Sequence, residues 1–208
     1  EAMSGNSCST MGFLKSKQQY SLRCTLAPIK NKQGEAIGCV LVLHDITEMH
    51  LMTQELEYRA KHDSLTGLVN RREFEERLQH ALSIAKLDDC HHCLLYLDLD
   101  QFKVVNDTCG HLAGDELLMQ LTSLLQERIR ASDTLARLGG DEFGILLMNC
   151  SLPNATNTAE ALRLLVDEFR FVWKDMSFSL GVSIGLVEID KSTDSHSHIL
   201  SIADVACY

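Results

Sequence analysis

Basic residues and long apolar runs are scarce in this sequence of 208 residues. Lysine and arginine together number 19 against 29 aspartate and glutamate residues, which gives a net charge of −10. Because such a surface repels phosphate backbones, we expect no binding to a nucleic acid polymer. The longest apolar run, residues 39–43, is far too short to cross a membrane, so this segment is expected to make no membrane contact.

The sequence also lacks a leader peptide and an initiator methionine, so we expect it to be a segment of a longer protein. Hydrophobic residues make up 45% of the chain, which is enough for a core that needs no disulfide bonds. The eight cysteines are therefore expected to be reduced thiols, and the segment to be cytoplasmic, even if the parent protein is anchored in a membrane elsewhere.

Two patterns divide the chain. Up to residue 44, alternating apolar and polar residues predict strands, the first of which ends at Pro28. Asp45 then begins a helix that runs to about residue 62. Its a/d-like seam is typical either of a helix packed on its own domain or of a parallel coiled coil between two copies. The residues of this seam are Met49, Met52 and Leu56.

From residue 63 onwards, helical and strand patterns alternate. The pattern predicts a short apolar strand over residues 93–99 and another strand over residues 178–186. Residues 134–138 and 143–148 are separated by only four residues, which predicts a hairpin. Residues 90–93 (CHHC) lack the second ligand pair of a zinc site, so we interpret them as a surface loop before the first of these strands.

Four carboxylates lie beside predicted turns. Asp98 and Asp100 end a strand and share one face, because the side chains of a strand alternate. Asp141 and Glu142 follow two glycines at the hairpin tip. Converging carboxylates suit Mg²⁺ or Mn²⁺ and two-metal phosphoryl or nucleotidyl transfer. On spacing alone a solvated hairpin tip is the favoured interpretation, because the spacing does not show that the two pairs meet.

Five stretches in collinear order resemble the GGDEF domain of diguanylate cyclases. Residues 137–143 (RLGGDEF) resemble the signature of this family. The other stretches are the opening motif at 62–71 (HDSLTGLVNR), the metal strand at 98–103 (DLDQFK), the guanine-binding stretch at 106–115 (NDTCGHLAGD) and a late core strand at 183–185 (SIG). The resemblance covers about residues 60–208.

The resemblance implies an α+β fold in which helices flank a central, mostly antiparallel sheet, as in nucleotidyl cyclases and polymerase palms. It also implies that two GTP condense to cyclic di-GMP with loss of two pyrophosphates, each 3′-hydroxyl attacking the α-phosphate on the facing domain of a homodimer. Two Mg²⁺ or Mn²⁺ ions per active site are the expected cofactors. In the family a Lys and an Arg that hold the triphosphate follow this region, so whether the segment is active without them is left open.

The resemblance further implies roles for single residues. Asp98, the backbone carbonyl of Leu99 and Glu142 would hold the metal ions. Asp141 would help to deprotonate the 3′-hydroxyl, either as a base or as a metal ligand. The residues expected to bind substrate are Phe102 and Lys103 through backbone N–H groups, Asn106 and Asp115 at the guanine edge, His111, which either touches the nucleotide or caps a helix, and Gly139 and Gly140, where the backbone can approach a ligand.

Asp115 is expected to select GTP, because a carboxylate accepts from the N1 and N2 donors of guanine and adenine offers no such pair. Residues 130–133 (RASD) match the RxxD inhibitory motif of the family, which implies that cyclic di-GMP binds at Arg130 and Asp133. The alternative is an ordinary pair between a helix-terminal arginine and a loop aspartate.

Residues 38–47 resemble the closing strands of a PAS domain. The predicted organisation is therefore the end of a PAS sensor domain at 1–47, a signalling linker helix at 48–62 and a GGDEF domain at 63–208, cut short at its C-terminus. We expect the homodimer to form through the PAS portion, the linker and the facing GGDEF domains. Two alternatives to an active cyclase stay open: a silent module that binds GTP or cyclic di-GMP and regulates a neighbour such as an EAL phosphodiesterase, and a dimerisation scaffold.

Overall fold

The computed structural model describes residues 8–15 and 19–207, which belong to two compact units that divide between Ala60 and Lys61. Residues 1–7, 16–18 and 208, which the predicted domain boundaries include, lie outside the described residues. The strands of the first unit pair antiparallel in chain order. They are β1 (Cys8–Lys15), β2 (Gln19–Lys30) and β3 (Ala36–Asp45), and helix α1 (Thr47–Lys61) follows them.

The prediction that Pro28 ends the first strand is wrong, because β2 continues through it to Lys30. Pro28 pairs with Cys39 of β3, whereas the pairing of β2 with β1 stops at Leu26. A proline, which has no N–H to donate, is tolerated in a strand where no partner needs that donor; among the described residues, Pro28 has a strand partner on the β3 side only. The PAS assignment of these strands stays a prediction.

The second unit is an α+β fold in which helices flank a central sheet, as predicted. Its strands run in the order β10-β5-β7-β6-β4, and all neighbours are antiparallel except β4 and β6. The elements in chain order are β4 (Val69–Asn70), α2 (Arg71–Asp88), β5 (His92–Asp100), α3 (Phe102–Cys109), α4 (His111–Gln126), β6 (Thr134–Gly139), β7 (Glu142–Leu147), α5 (Leu152–Glu168), β8 (Arg170–Trp173), β9 (Met176–Ser179), β10 (Gly181–Ile189) and α6 (His196–Cys207).

The strand predicted over residues 178–186 is two strands. Phe178 lies in β9, which pairs with β8 in a separate hairpin, and β10 begins only at Gly181. The ring of Phe178 packs 6.4 Å from that of the fully buried Phe171. None of the helices in the described part of the chain has both the length and the apolar character that a membrane span needs.

Strand β5 lies at the centre of two hydrophobic cores, because successive side chains point to opposite faces of a sheet. Leu95 and Leu97 pack on one side with leucines of α4. Leu94 and Tyr96 pack on the other side with Phe74 of α2 and with residues of α6. Packing on both faces fixes β5, and with it the carboxylates at its C-terminal end, on a rigid element.

The interpretation of residues 90–93 as a surface loop is wrong for its second half. His92 and Cys93 begin β5 and are completely buried. His92 Nδ1 accepts the backbone N–H of Asn149 at 2.9 Å, and its Nε2 lies 3.4 Å from the Cys90 sulfur. Burial raises the pKa of the Cys93 thiol to about 12, which disfavours the thiolate that a metal or a redox reaction needs.

We expect His92→Ala to destabilise the chain by about 3 kcal/mol, because it leaves a cavity and an unpaired Asn149 N–H. Burial, and then the charge of His91, lower the pKa of His92, so the folded chain favours the neutral imidazole. The contribution of the neutral His92 to the free energy of unfolding is therefore fully present above the ordinary pKa of histidine, and it is lost as the pH falls below that value. Urea unfolding at pH 7.5 and 5.5 should show that the free energy of unfolding decreases more on acidification for the native chain than for His92→Ala. Equal decreases would contradict this role.

Candidate active site

The two predicted carboxylate pairs meet. Asp98 on β5 lies directly opposite Glu142 on β7 in the antiparallel register. The backbone N–H of Leu99 donates to the carbonyl of Asp141 at 3.3 Å. Glu142 belongs to β7 rather than to the turn, so only Gly140 and Asp141 separate the two strands of the hairpin. The hairpin tip and the end of β5 thus form one acidic edge of the sheet.

Negative charge is concentrated at this edge. Burial, and then the charges of four other carboxylates, raise the pKa of Asp98. Among these carboxylates, Asp141 has the largest effect. The other three are Glu142, Asp100 and Asp204. Among the ion pairs of residues 20–207, none involves Asp98, Asp141 or Glu142. A divalent cation would balance this charge, since no ion pair of the described residues does so.

The oxygen atoms at this edge suit a hard cation that is also bound by water or phosphate. No three His, Cys, Asp or Glu side chains in the described ranges converge on one point as a complete metal site. Mg²⁺ is commonly held by one or two carboxylates together with phosphate oxygens and water, and Asp98 and Glu142 can supply such a pair. The N–H and C=O of one strand residue point to the same side, so the Leu99 carbonyl also faces the hairpin.

An arginine holds the hairpin tip in shape. Arg137 Nε and Nη2 donate to the carbonyl of Gly140 at 3.0 and 2.9 Å. Its Nη1 donates to the Asp63 carboxylate at 3.2 Å. Gly140 has φ of +50°, a left-handed conformation that favours glycine. The guanidinium fork therefore fixes the peptide that precedes Asp141.

Asp63 is itself fixed in place. Its carboxylate accepts the backbone N–H and the hydroxyl of Thr66 at 2.9 and 2.7 Å. Burial alone would raise the pKa of Asp63, but the hydrogen bonds from Thr66 and Arg137 hold it below the ordinary value. The opening motif at 62–71 is thereby connected to the hairpin. The motif match located both stretches without assigning a role to Asp63 or Arg137.

Tyr96 is a further residue of the site to which the sequence assigned no role. It shares a face of β5 with Asp98, and its hydroxyl interacts with the Glu142 carboxylate. Burial, and then this interaction, raise the pKa of Tyr96. Tyr96, Arg71 and Asp204 line one cavity of about 310 Å³. The period of two along β5 is the signal that relates Tyr96 to the carboxylates.

A residue with a strained backbone, Gln101, connects β5 to helix α3. Gln101 has φ of +65° and gives no side-chain cap to the helix, so the first N–H groups of α3, at Phe102 and Lys103, have no capping acceptor. This arrangement suits a phosphate. Asn106, one turn further on, lies against Gly114 of α4, the neighbour of Asp115. His111 is the first residue of α4 and is exposed.

Arg130 and Asp133 lie in the loop between α4 and β6. Asp133 accepts the Met148 N–H at 3.0 Å, and no ion pair joins it to Arg130 in the described chain. Two cavities, of about 360 and 280 Å³, both include Arg130 and Asp133 in their linings. The described residues thus show no side-chain ion pair between Arg130 and Asp133, whose backbones are joined by a hydrogen bond from the Asp133 N–H to the Arg130 carbonyl at 3.0 Å, and the inhibitory role of the motif stays a prediction.

Residues 60–208 match the family model described as diguanylate cyclase, GGDEF domain. The chain is 41% identical over 194 residues to the probable diguanylate cyclase DgcE of Escherichia coli K12, covering 93% of this chain and 18% of that protein. It is 37% identical over 164 residues to the bifunctional diguanylate cyclase/cyclic di-GMP phosphodiesterase MucR of Pseudomonas aeruginosa, covering 78% and 24%. The chain thus spans about a fifth of the length of these curated relatives.

Solved structures agree with the fold. The coiled coil and GGDEF domain of DgcB from Caulobacter crescentus, in complex with c-di-GMP, matches with a TM-score of 0.73 at 26% identity, over 78% of this chain and 86% of that one. The diguanylate cyclase SiaD of Pseudomonas aeruginosa, in complex with its activator SiaC, matches with a TM-score of 0.69 at 31% identity, over 77% and 61%.

Proposed function

The chain belongs to the GGDEF family of diguanylate cyclases, and from this premise we propose that it condenses two GTP to cyclic di-GMP with release of two pyrophosphates. The observation that carries the proposal is the pairing of Asp98 with Glu142 at an edge of the sheet where neither carboxylate belongs to an ion pair of the described residues. Carboxylates that repel one another favour the binding of divalent cations, and such cations in turn bind phosphates.

In the proposed reaction, Asp98, the Leu99 carbonyl and Glu142 would hold Mg²⁺ or Mn²⁺, two ions per active site. The ions would stabilise the charge that develops on the α-phosphate and the leaving pyrophosphate. Asp141 would accept the proton of the attacking 3′-hydroxyl or hold the ion that lowers its pKa. Its carbonyl is hydrogen-bonded to Leu99, which keeps it beside the metal strand.

GTP would lie between the hairpin and α3. The free N–H groups of Phe102 and Lys103 would bind phosphate oxygens, and Gly139 and Gly140 would let the backbone come close to them. The guanine would lie at the turn between α3 and α4, at Asn106 and Asp115, with the exposed His111 at its rim. Asp115 would accept from N1 and N2 of guanine, so ATP would be rejected.

Two copies of the chain would be needed, because each would present one GTP to the other. The structure supports α1 as part of the interface, since no residue of this helix is buried and its seam is exposed. Met49, Met52 and Leu56 are 50%, 57% and 67% exposed, as a coiled-coil seam of a single copy would be. We also propose that the first unit is the end of a PAS domain and that the chain acts in the cytoplasm. GTP would be its substrate and cyclic di-GMP its product.

The test is nucleotide binding together with turnover, measured on the full-length protein with GTP or ATP. GTP-specific binding with pyrophosphate release, at a rate per chain that rises with protein concentration, is the expected result. Binding of GTP without turnover would favour the regulatory module instead. A folded protein that binds no nucleotide would leave only the dimerisation scaffold.

We further propose that cyclic di-GMP inhibits its own synthesis by binding at Arg130. The guanidinium suits either phosphate or the guanine edge, and both cavities beside it are large enough to admit part of a dinucleotide. Asp133 is occupied with Met148, so its role would be to shape the loop as much as to contact the ligand.

Arg130→Ala is expected to raise the concentration of cyclic di-GMP that halves the activity by about tenfold or more, because a charge-assisted contact is lost. Uninhibited activity should change little. The matched control is Arg163→Ala, which removes an exposed arginine that pairs with Glu160 on α5. Inhibition curves that coincide for the native protein and Arg130→Ala would contradict the inhibitory site.

A further inference from the structure

Helices α3 and α4 touch at a glycine. A β-carbon built on Gly114 would overlap the Asn106 Oδ1 atom, and it would lie 3.0 Å from Asn106 Cγ and 3.1 Å from Phe102 Cζ. Real β-carbons essentially never approach other atoms so closely as this overlap requires. The carboxamide of Asn106 therefore lies directly against the bare α-carbon of Gly114, in space that any other residue would fill.

The turn that follows α3 fixes the backbone that carries this carboxamide. The Asn106 carbonyl accepts the N–H of Gly110 at 2.8 Å, which closes α3. Gly110 has φ of +84°, and α4 begins at the next residue. The Phe102 ring, at the start of α3, packs on the same glycine. The backbone that carries Asn106 is thus fixed, and the carboxamide lies against α4.

We propose that Gly114 is the positioning residue that sets the direction in which Asn106 presents its carboxamide to the guanine of GTP. This inference rests on the proposed function, since it assumes that Asn106 reads the base. Gly114 touches no substrate itself. With a β-carbon at position 114, Asn106 would have to change rotamer and would present its donor and acceptor elsewhere.

The expected result for Gly114→Ala is a selective loss of GTP binding. KM for GTP, and the dissociation constant measured with a fluorescent GTP analogue, should rise about tenfold, because one hydrogen bond to the base is lost. kcat at saturating GTP should fall less than about twofold, because the metal site is unchanged. Leu121→Ala is the matched control: it loosens the buried face of the same helix, and it should lower stability without changing KM.

A double-mutant cycle separates positioning from general damage. Asn106→Ala should raise KM by itself, and adding Gly114→Ala to it should raise KM no further, because the side chain that the new methyl displaces is gone. The double variant also lacks the overlap with Asn106 Oδ1. Its KM can therefore be compared with that of Asn106→Ala even if Gly114→Ala alone does not fold. Additive effects of the two substitutions on KM would overturn the proposal.

The two levels of failure are distinguishable. Normal GTP binding by Gly114→Ala, beside a native protein that binds and turns over GTP, would refute the role of Gly114 and leave the cyclase intact. A native protein that binds no GTP would refute the proposed function and this inference with it.

Discussion

Asp98→Asn should lower the rate of cyclic di-GMP synthesis by about a thousandfold and, at the same time, make the metal-free chain more stable. The loss of activity follows from removing a charged metal ligand. The gain in stability follows from the crowding at this edge: Asp141, Glu142, Asp100 and Asp204 all act on Asp98, and no described cation is paired with it. A gain on the order of 1 kcal/mol is expected for relieving such repulsion.

Both effects are measurable in one set of samples. Thermal unfolding without divalent ions should show a higher midpoint for Asp98→Asn than for the native chain. Adding Mg²⁺ or Mn²⁺ should raise the midpoint of the native chain and leave that of the variant nearly unchanged, because a ligand stabilises only the folded state that binds it. A variant that is less stable than the native chain without metal would contradict the repulsion at this edge. Equal stabilisation of the variant and the native chain by the metal would show that the acidic edge is not a cation site.

Arg137→Lys should reduce cyclase activity by about a hundredfold while leaving the fold in place, since displacement of reacting groups by about 1 Å costs this much. Lysine keeps the positive charge but lacks the planar fork whose nitrogens reach the Gly140 carbonyl on one side and Asp63 on the other. The tip of the hairpin, with Gly140 at positive φ, would lose the contacts that fix the peptide before Asp141. The effect is expected mainly in kcat.

The matched control is Arg72→Lys, whose arginine is 77% exposed and pairs with Glu76 within α2. It should change neither activity nor stability by a measurable amount, as is usual for an exposed pair. Asp63→Asn should resemble Arg137→Lys, because it weakens the same contact from the other side. An Arg137→Lys protein with native kcat would mean that the hairpin holds its shape without the fork.

Local pattern was sufficient to predict each of the two carboxylate pairs, although not that they meet. The alternation along β5 places Asp98 and Asp100 on one face, and the short separation of residues 138 and 143 requires a hairpin. The resemblance then indicated that the hairpin and the strand belong to one site. That Asp98 and Glu142 are direct neighbours is a matter of strand register, which the structure supplies.

What could not be predicted depends on contacts between distant residues. Asp63 and Arg137 are 74 residues apart and meet only because β4 pairs with β6. The ring of His92 accepts its hydrogen bond from Asn149, which lies beyond the hairpin. Pro28 lies within β2, where its described strand partner is Cys39 of β3, a pairing that no local pattern predicts. Gly114 is one of 12 glycines in the chain, and no local pattern separates it from the others.

The most direct test of the central claim is product analysis of the full-length protein incubated with GTP and Mg²⁺, beside its Asp141→Ala variant. The account predicts cyclic di-GMP and pyrophosphate in a ratio of about one to two from the native protein, and neither from a variant that is folded and dimeric, because the attacking hydroxyl keeps its proton. No cyclic di-GMP from a folded, dimeric native protein that binds GTP would contradict the account and leave a nucleotide-binding module.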